Sequence, residues 1–420
     1  MNINLMTNQE KLIFIRKLLN ARQKDLARNN ITREFISMVE SGKRNMSRDV
    51  AIDIMRNAIE FAKEKEVELN YDEEFIARTK EEDLCVLCEK LPDIKESFEK
   101  CDYIVNFGKE QGMSWTEVYA TKKKGNIYVV NHEYDKAEAA YRKCLNLIDS
   151  IGSNKLKHEI YNNLGLIKDR CLKYYDAVMY YQEALKYCYI NNDFIKKDRI
   201  TYNIGLTYYN IGNYEKSMDT LQLLMDDKCE KTSYYYKGNM IQGVILYKLK
   251  RTSEALKTLL NLVESRNLDN SFLIRAYNNI ALCYIDKKEY KKAEEFFDKA
   301  IETAKETDRV KHEILGDKGN FYFELKKYEE AKIALNESIK ISEEIGSYKY
   351  QLEGLKILYE ISNEENNEKE MEEILLKLLS VANNTSSKDE VIWAMKRLLD
   401  LAVKQKDINK IKIFNDYIKD

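Results

Sequence analysis

Asn163, Asn203 and Asn279 each stand two residues ahead of a small residue, Gly165, Gly205 and Ala281, while Asn126 and Asn320 follow directly on Gly125 and Gly319. A carboxamide offers both donors and an acceptor, so a row of them can grip an extended backbone whatever its side chains. Arg199, Lys237 and Arg275 align six residues before Gly205, Gly243 and Ala281, and Glu313, Asp317 and Glu324 surround Gly319. Offsets of −6, −2, +1 and +5 from the small residue fall on one helical face. The expected chemistry is an extended peptide held by Asn126, Asn163, Asn203, Asn279 and Asn320. A carboxylate would meet Arg199, Lys237 and Arg275, and an amine or basic residue would meet the acidic sixth position.

Other reactive residues offer less. Cys85-Val-Leu-Cys88 has the spacing of half a zinc site, but zinc takes about four ligands. There is no second such pair, and His132, His158 and His312 are remote in sequence. Cys85, Cys88, Cys101 and Cys144 fall where small apolar groups are wanted, so they read as core. No phosphate-binding loop, dinucleotide fingerprint or HExxH is present. The expectation is no enzyme, no cofactor and no metal.

The elements that position these residues follow a beat. Gly125, Gly165, Gly205, Gly243, Ala281 and Gly319 recur at intervals of 40, 40, 38, 38 and 38 residues, and twelve residues after each comes Ala137, Ala177, Ser217, Ala255, Ala293 or Ala331. A period of this size signals stacked helical hairpins, which commonly bind an extended ligand. The small residues mark close helix crossings, and Tyr174, Tyr181, Tyr208, Tyr214, Tyr284, Tyr290, Tyr322 and Tyr328 fill the packed face between them. This pattern of small and aromatic residues resembles the tetratricopeptide repeat from about Trp115 to Ile345. The units are longer than the usual ~34 residues by about a helical turn, and the proline that often closes a unit is missing. Longer second helices are expected.

The implied fold is all-α: an N-terminal helix-turn-helix domain over 1–66, a helical linker with a degenerate repeat over 67–114, and six repeats over 115–345. Degenerate repeats and a cap occupy 346–420, and together the repeats would form a right-handed superhelix. Pro92 is expected to open the second helix of the degenerate hairpin.

Composition agrees. The 420 residues include a single proline and 14 glycines, which suits long helices and short turns. Net charge is −2, but residues 1–60 carry +4 and the remainder −6, so a basic head sits on an acidic body. No apolar run reaches the ~18 residues that span a bilayer, and the opening residues lack a secretory signal pattern. Eight scattered cysteines suit a reducing cytoplasm.

The head reads as four or five short helices across 9–62. Thr32 and Ser47 are expected N-caps, with Leu26, Ile36, Val39, Val50, Ile54 and Ile59 among the inward residues. The stretch QKDLARNNITREFISMVESGKRN resembles the helix-turn-helix of phage-type repressors, with Asn30-Ile31 in the turn where a glycine is usual. The resemblance implies binding to double-stranded DNA. The helix from Thr32 would enter the major groove, presenting Arg33, Glu34, Ser37 and Met38 to base edges. Gln23, Lys43 and Arg44 would hold phosphates.

A head of this type ahead of such an array resembles the RRNPP class of peptide-pheromone receptors. The class implies a cytoplasmic homodimeric transcription regulator, controlled by a short signalling peptide and independent of membranes. Two readings stand beside it. One is an interaction scaffold that sequesters a regulatory protein; the other is a phage lysis–lysogeny regulator that responds to peptide.

Overall fold

The computed structural model describes residues 5–225, 233–265, 268–304, 310–385 and 388–419, and every regular element among them is an α-helix. The chain divides into two compact units, Met1–Ile211 and Gly212–Asp420.

Unit 1 begins with α1 (Asn8–Leu18), α2 (Gln23–Leu26), α3 (Arg33–Glu40) and α4 (Arg48–Glu64). The caps are local chemistry. Thr7 and Glu10 form a capping box on α1, Thr32 accepts from the Phe35 N–H, and Ser47 accepts from the Val50 N–H. Leu12, Ile15, Leu26, Ile36 and Ile54 close the core with no exposed surface. Residues 69–77 join it through Leu69, Tyr71, Phe75, Ile76 and Ala77.

The hairpin of α5 (Lys80–Lys90) and α6 (Ser97–Glu110) follows. Pro92 does not open α6. Leu91 caps α5 with ψ 141°, the extended conformation favoured before proline, and Pro92 sits in the turn, its carbonyl accepting from the Ser97 hydroxyl at 2.8 Å.

Unit 1 continues with α7 (Ser114–Val130), α8 (Tyr134–Ser150), α9 (Lys157–Arg170), α10 (Tyr174–Ile190) and α11 (Phe194–Ile211). Unit 2 holds α12 (Tyr214–Gln222), α13 (Ser233–Lys248), α14 (Thr252–Val263), α15 (Asn270–Asp286), α16 (Tyr290–Thr303), α17 (Lys311–Glu324) and α18 (Tyr328–Ile345). It ends with α19 (Tyr348–Glu364), α20 (Glu368–Thr385), α21 (Lys388–Lys404) and α22 (Ile408–Lys419).

The repeat's small residue meets a bulky residue sixteen positions later. A Cβ on Gly125 would lie 2.6 Å from the Tyr141 ring, on Gly165 2.5 Å from Tyr181, on Gly243 2.7 Å from Leu259 and on Gly319 2.6 Å from Leu335. No real Cβ tolerates such distances, so the missing side chain lets the ring or leucine of the second helix reach the first. The second small residues, Ala137, Ala177, Ser217, Ala255, Ala293 and Ala331, are all fully buried.

Candidate functional site

Two surfaces hold the candidate residues. On the head, Arg33, Glu34 and Ser37 of α3 are exposed, with Met38 half-buried beside them, while Ile36 and Val39 face inward. Arg33 and Ser37, four residues apart, share a face. Thr32 spends its hydroxyl on the cap, accepting from the Phe35 N–H at 3.1 Å. The turn after α3 is built on the Met38 carbonyl, which accepts from the Lys43 and Arg44 N–H groups at 2.9 and 3.2 Å. Both side chains are exposed, and the Arg44 guanidinium stacks 4.8 Å from the Phe35 ring centroid.

Gln23 is placed differently. Its amide donates at 2.8 Å to the Glu40 carboxylate, which also receives Arg16 at 2.6 Å. One amide hydrogen and the side-chain carbonyl stay available, so Gln23 braces α3 as well as facing outward. In the α2–α3 turn Asn29 takes the left-handed conformation (φ 51°) that glycine usually supplies. Buried Asn57 holds this turn, donating to the carbonyls of Leu26 at 3.0 Å and Arg28 at 3.3 Å.

Charge pairing separates the head's arginines. Arg16, Arg22, Arg28, Arg48 and Arg56 each face a carboxylate within 4 Å. Arg33 and Arg44 have no ion-pair partner among the described residues, nor has Lys43. Unpaired cations gathered around one short helix are where an anion would bind with least loss of existing contacts.

The second surface belongs to the first helices of the repeats. In unit 1 the Tyr141 hydroxyl donates to the Asn126 side-chain carbonyl at 2.7 Å and is also hydrogen-bonded by Asn163. The Asn203 amide donates to the Asn162 side chain at 3.0 Å, tying α11 to α9. Half-buried Arg199 has its Nε shielded without a partner among the described residues. In unit 2 the Asn279 amide donates to the Arg275 carbonyl at 2.8 Å and lies 3.7 Å from the Met240 sulfur. Arg275 is exposed and 3.6 Å from Glu313. Lys237 is exposed over the Tyr234 ring, and Asn320 is exposed. Asn126, Asn163 and Asn203 therefore tie neighbouring helices as well as lining their faces, and each retains hydrogen-bonding capacity.

Residues three positions ahead of the small residue escaped sequence reasoning. Lys122 is buried between Glu89 at 2.8 Å and Glu159 at 3.1 Å. Burial alone would lower its pKa, but the two carboxylates outweigh that and raise it. Asn162 receives Asn203, and Asn278 donates to Asp317 at 2.6 Å. The doublets Asn162-Asn163 and Asn278-Asn279, at the same offset in two repeats, were the available signal.

Cys85, Cys88, Cys101 and Cys144 are buried together in one apolar cluster, and burial pushes the Cys88 thiol up to about 12. Such thiols are poor metal ligands and nucleophiles.

Residues 272–344 and 199–226 each match a tetratricopeptide repeat family. The array is of that type. No curated protein matches the chain in sequence. Among solved structures, the apo form of the quorum sensor NprR from B. thuringiensis is 15% identical, with 93% of this chain and 99% of that chain covered and a TM-score of 0.54. The apo form of RapI is also 15% identical, covers 94% of this chain and 99% of its own, and has a TM-score of 0.55. At this identity the likeness is one of fold. No helix among the described residues is long and apolar enough to cross a membrane.

Proposed function

We propose that this chain is a DNA-binding transcription regulator whose tetratricopeptide array binds a short signalling peptide and thereby alters DNA binding. The observation that carries the reading is the pairing pattern of the head. Among the described residues, every arginine in the first 60 except Arg33 and Arg44 faces a carboxylate, and those two flank α3 together with unpaired Lys43. Arg33, Glu34, Ser37 and Met38 would read base edges, and Thr32, Gln23, Lys43 and Arg44 would hold the backbone. One such helix offers a small interface, so two heads of a cytoplasmic homodimer would supply the affinity.

Peptide binding falls to the first helices of the repeats, where carboxamides recur at one offset. Asn126, Asn163 and Asn203 with Arg199 serve in unit 1. Asn279 and Asn320 with Lys237 and Arg275 serve in unit 2. A fold shared with a protein named as a quorum sensor supports this assignment. A peptide that prefers one curvature of the array shifts the heads between spacings, and its leverage is limited to that preference.

Genome-wide pull-down of DNA bound by the tagged protein in its host, with and without spent culture medium, tests the proposal. Sharp palindromic sites whose occupancy changes with medium are expected. No enriched site under either condition would point instead to a scaffold for a regulatory protein partner.

A further inference from the structure

Unit 2 contains a cavity between α17 and α19, at the acidic end expected of the peptide site. It measures about 350 Å³, at the small end of ligand pockets. It is lined by Gly316, Asp317, Asn320, Tyr350, Glu353 and Gly354, with Leu335 and Lys356 at its border.

Its polar groups want donors. Asp317 receives one hydrogen bond, from the Asn278 amide at 2.6 Å. The Asn278 side-chain carbonyl, outside the cavity lining, is buried behind it with no partner among the described residues. His312, one helical turn before Gly316, is 4% exposed and has both ring nitrogens unpartnered among the described residues, and its ring packs edge-on against the cavity-lining Tyr350 at 4.6 Å. Asn320 stands exposed at the rim. The nearby cations are engaged. Lys356 is bound to Glu390 at 2.5 Å, Arg275 faces Glu313 at 3.6 Å, and Lys349 lies 3.8 Å from Glu353 on the open side. Burial raises the pKa of Asp317 despite the Asn278 hydrogen bond, Glu313 and Glu353 add to this, and Lys349 opposes it least. Buried acceptors without donors are costly, and a ligand that supplies the donors recovers that cost.

We propose that this cavity binds a positively charged group of the peptide, an ammonium or guanidinium. The group donates to the cavity-lining carboxylates of Asp317 and Glu353 and lies against the Tyr350 ring. The proposal rests on the peptide reading above and adds to it the charge class of one peptide position. A basic side chain and a free N-terminus present the same chemistry here.

The test uses the full chain and positional-scanning heptapeptide pools. The pools carry Arg, Lys, citrulline or Gln at each position, with free or acetylated N-termini, and binding is read by fluorescence anisotropy. Wild type is expected to select either Arg or Lys at one position or the free N-terminus; the arm that matters identifies the source. Asp317→Asn is expected to weaken the selected pool by ~10-fold, the scale of one charge-assisted hydrogen bond. Neutralising the peptide's charge should then cost little more in that variant, as a double-mutant cycle would show. Glu353→Gln provides a second reading if Asp317→Asn lowers the melting temperature. Selection that ignores charge, with both variants binding as wild type does, overturns the cation site and leaves the peptide reading standing. Failure of every pool to bind wild type overturns both.

Discussion

The ring of Tyr181 occupies the space where a side chain on residue 165 would stand: a Cβ on Gly165 would lie 2.5 Å from its Cε1. Gly165→Ala gains helix propensity of about 1 kcal/mol but forces the buried tyrosine aside, an overpacking cost of typically ~1–3 kcal/mol. A net loss of stability is expected, read as a lower urea midpoint. An unchanged or raised midpoint would show that α10 shifts freely against α9.

The head is joined to the array by a buried network. Lys11, 1% exposed, pairs with Asp83 at 2.5 Å and donates to the Arg78 carbonyl at 2.6 Å. Arg78 also reaches Asp83 at 3.1 Å, so removing Lys11 leaves the carboxylate partly paired. Lys11→Ala should cost about 2 kcal/mol, below the ~3–5 kcal/mol of a fully orphaned buried charge. Lys11→Met, which restores the lost volume, should cost less. Equal losses in the two variants would show that charge pairing dominates over packing at this site.

His158 should make unit 1 sensitive to mild acid. Burial lowers its pKa; Lys196 adds to this, Asp193 and Glu159 oppose it, and Arg199 lowers it least. The unfolded chain takes up this proton near pH ~6.5, while the folded chain resists it. Protons bound are then greater in the unfolded state, so stability falls as pH drops below about 6.5 and levels off below the folded pKa. Melting temperatures between pH 7.5 and 5.5 should fall more steeply for wild type than for His158→Asn. Parallel profiles would place the titration elsewhere.

If α3 meets DNA as proposed, its residues separate by role. Lys43→Ala should weaken all sequences alike and reduce the salt dependence of binding by about one unit of slope. Arg33→Ala should cost ~1–3 kcal/mol on the preferred site and relax the choice of base there. Electrophoretic shift titrations across salt concentrations separate the two effects. A Lys43→Ala variant with wild-type salt slope would remove that residue from the phosphate contacts.

The carboxamide row is tested by changing Asn163, Asn203 and Asn279 to Ala together. Affinity for the selected peptide pool is expected to fall by at least ~10-fold, since each lost amide contact is worth about 1 kcal/mol. Because Asn203 also ties α11 to α9, melting temperature must be read alongside affinity. Intact peptide affinity in the triple variant would reduce these residues to ties between helices.

Much of the architecture was legible because it is periodic or local. Gly125, Gly165, Gly243 and Gly319 announced the helix crossings by spacing alone, and Thr32 and Ser47 marked helix starts because a cap needs only a hydroxyl and an N–H three residues on. Composition foretold helices, and the unequal charge of the first 60 residues separated a basic head from the rest. Tertiary structure decided the rest. It chose which side chains the cations of the head would face, leaving Arg33 and Arg44 unpaired among the described residues while Arg28 and Arg48 found carboxylates 36 and 34 residues away. It also made Lys122 a buried ion and set Asn278 beside Asp317, residues 39 apart. Periodicity states which face a residue shares. Burial and pairing depend on what a neighbouring helix brings to that face, and that partner is distant in sequence.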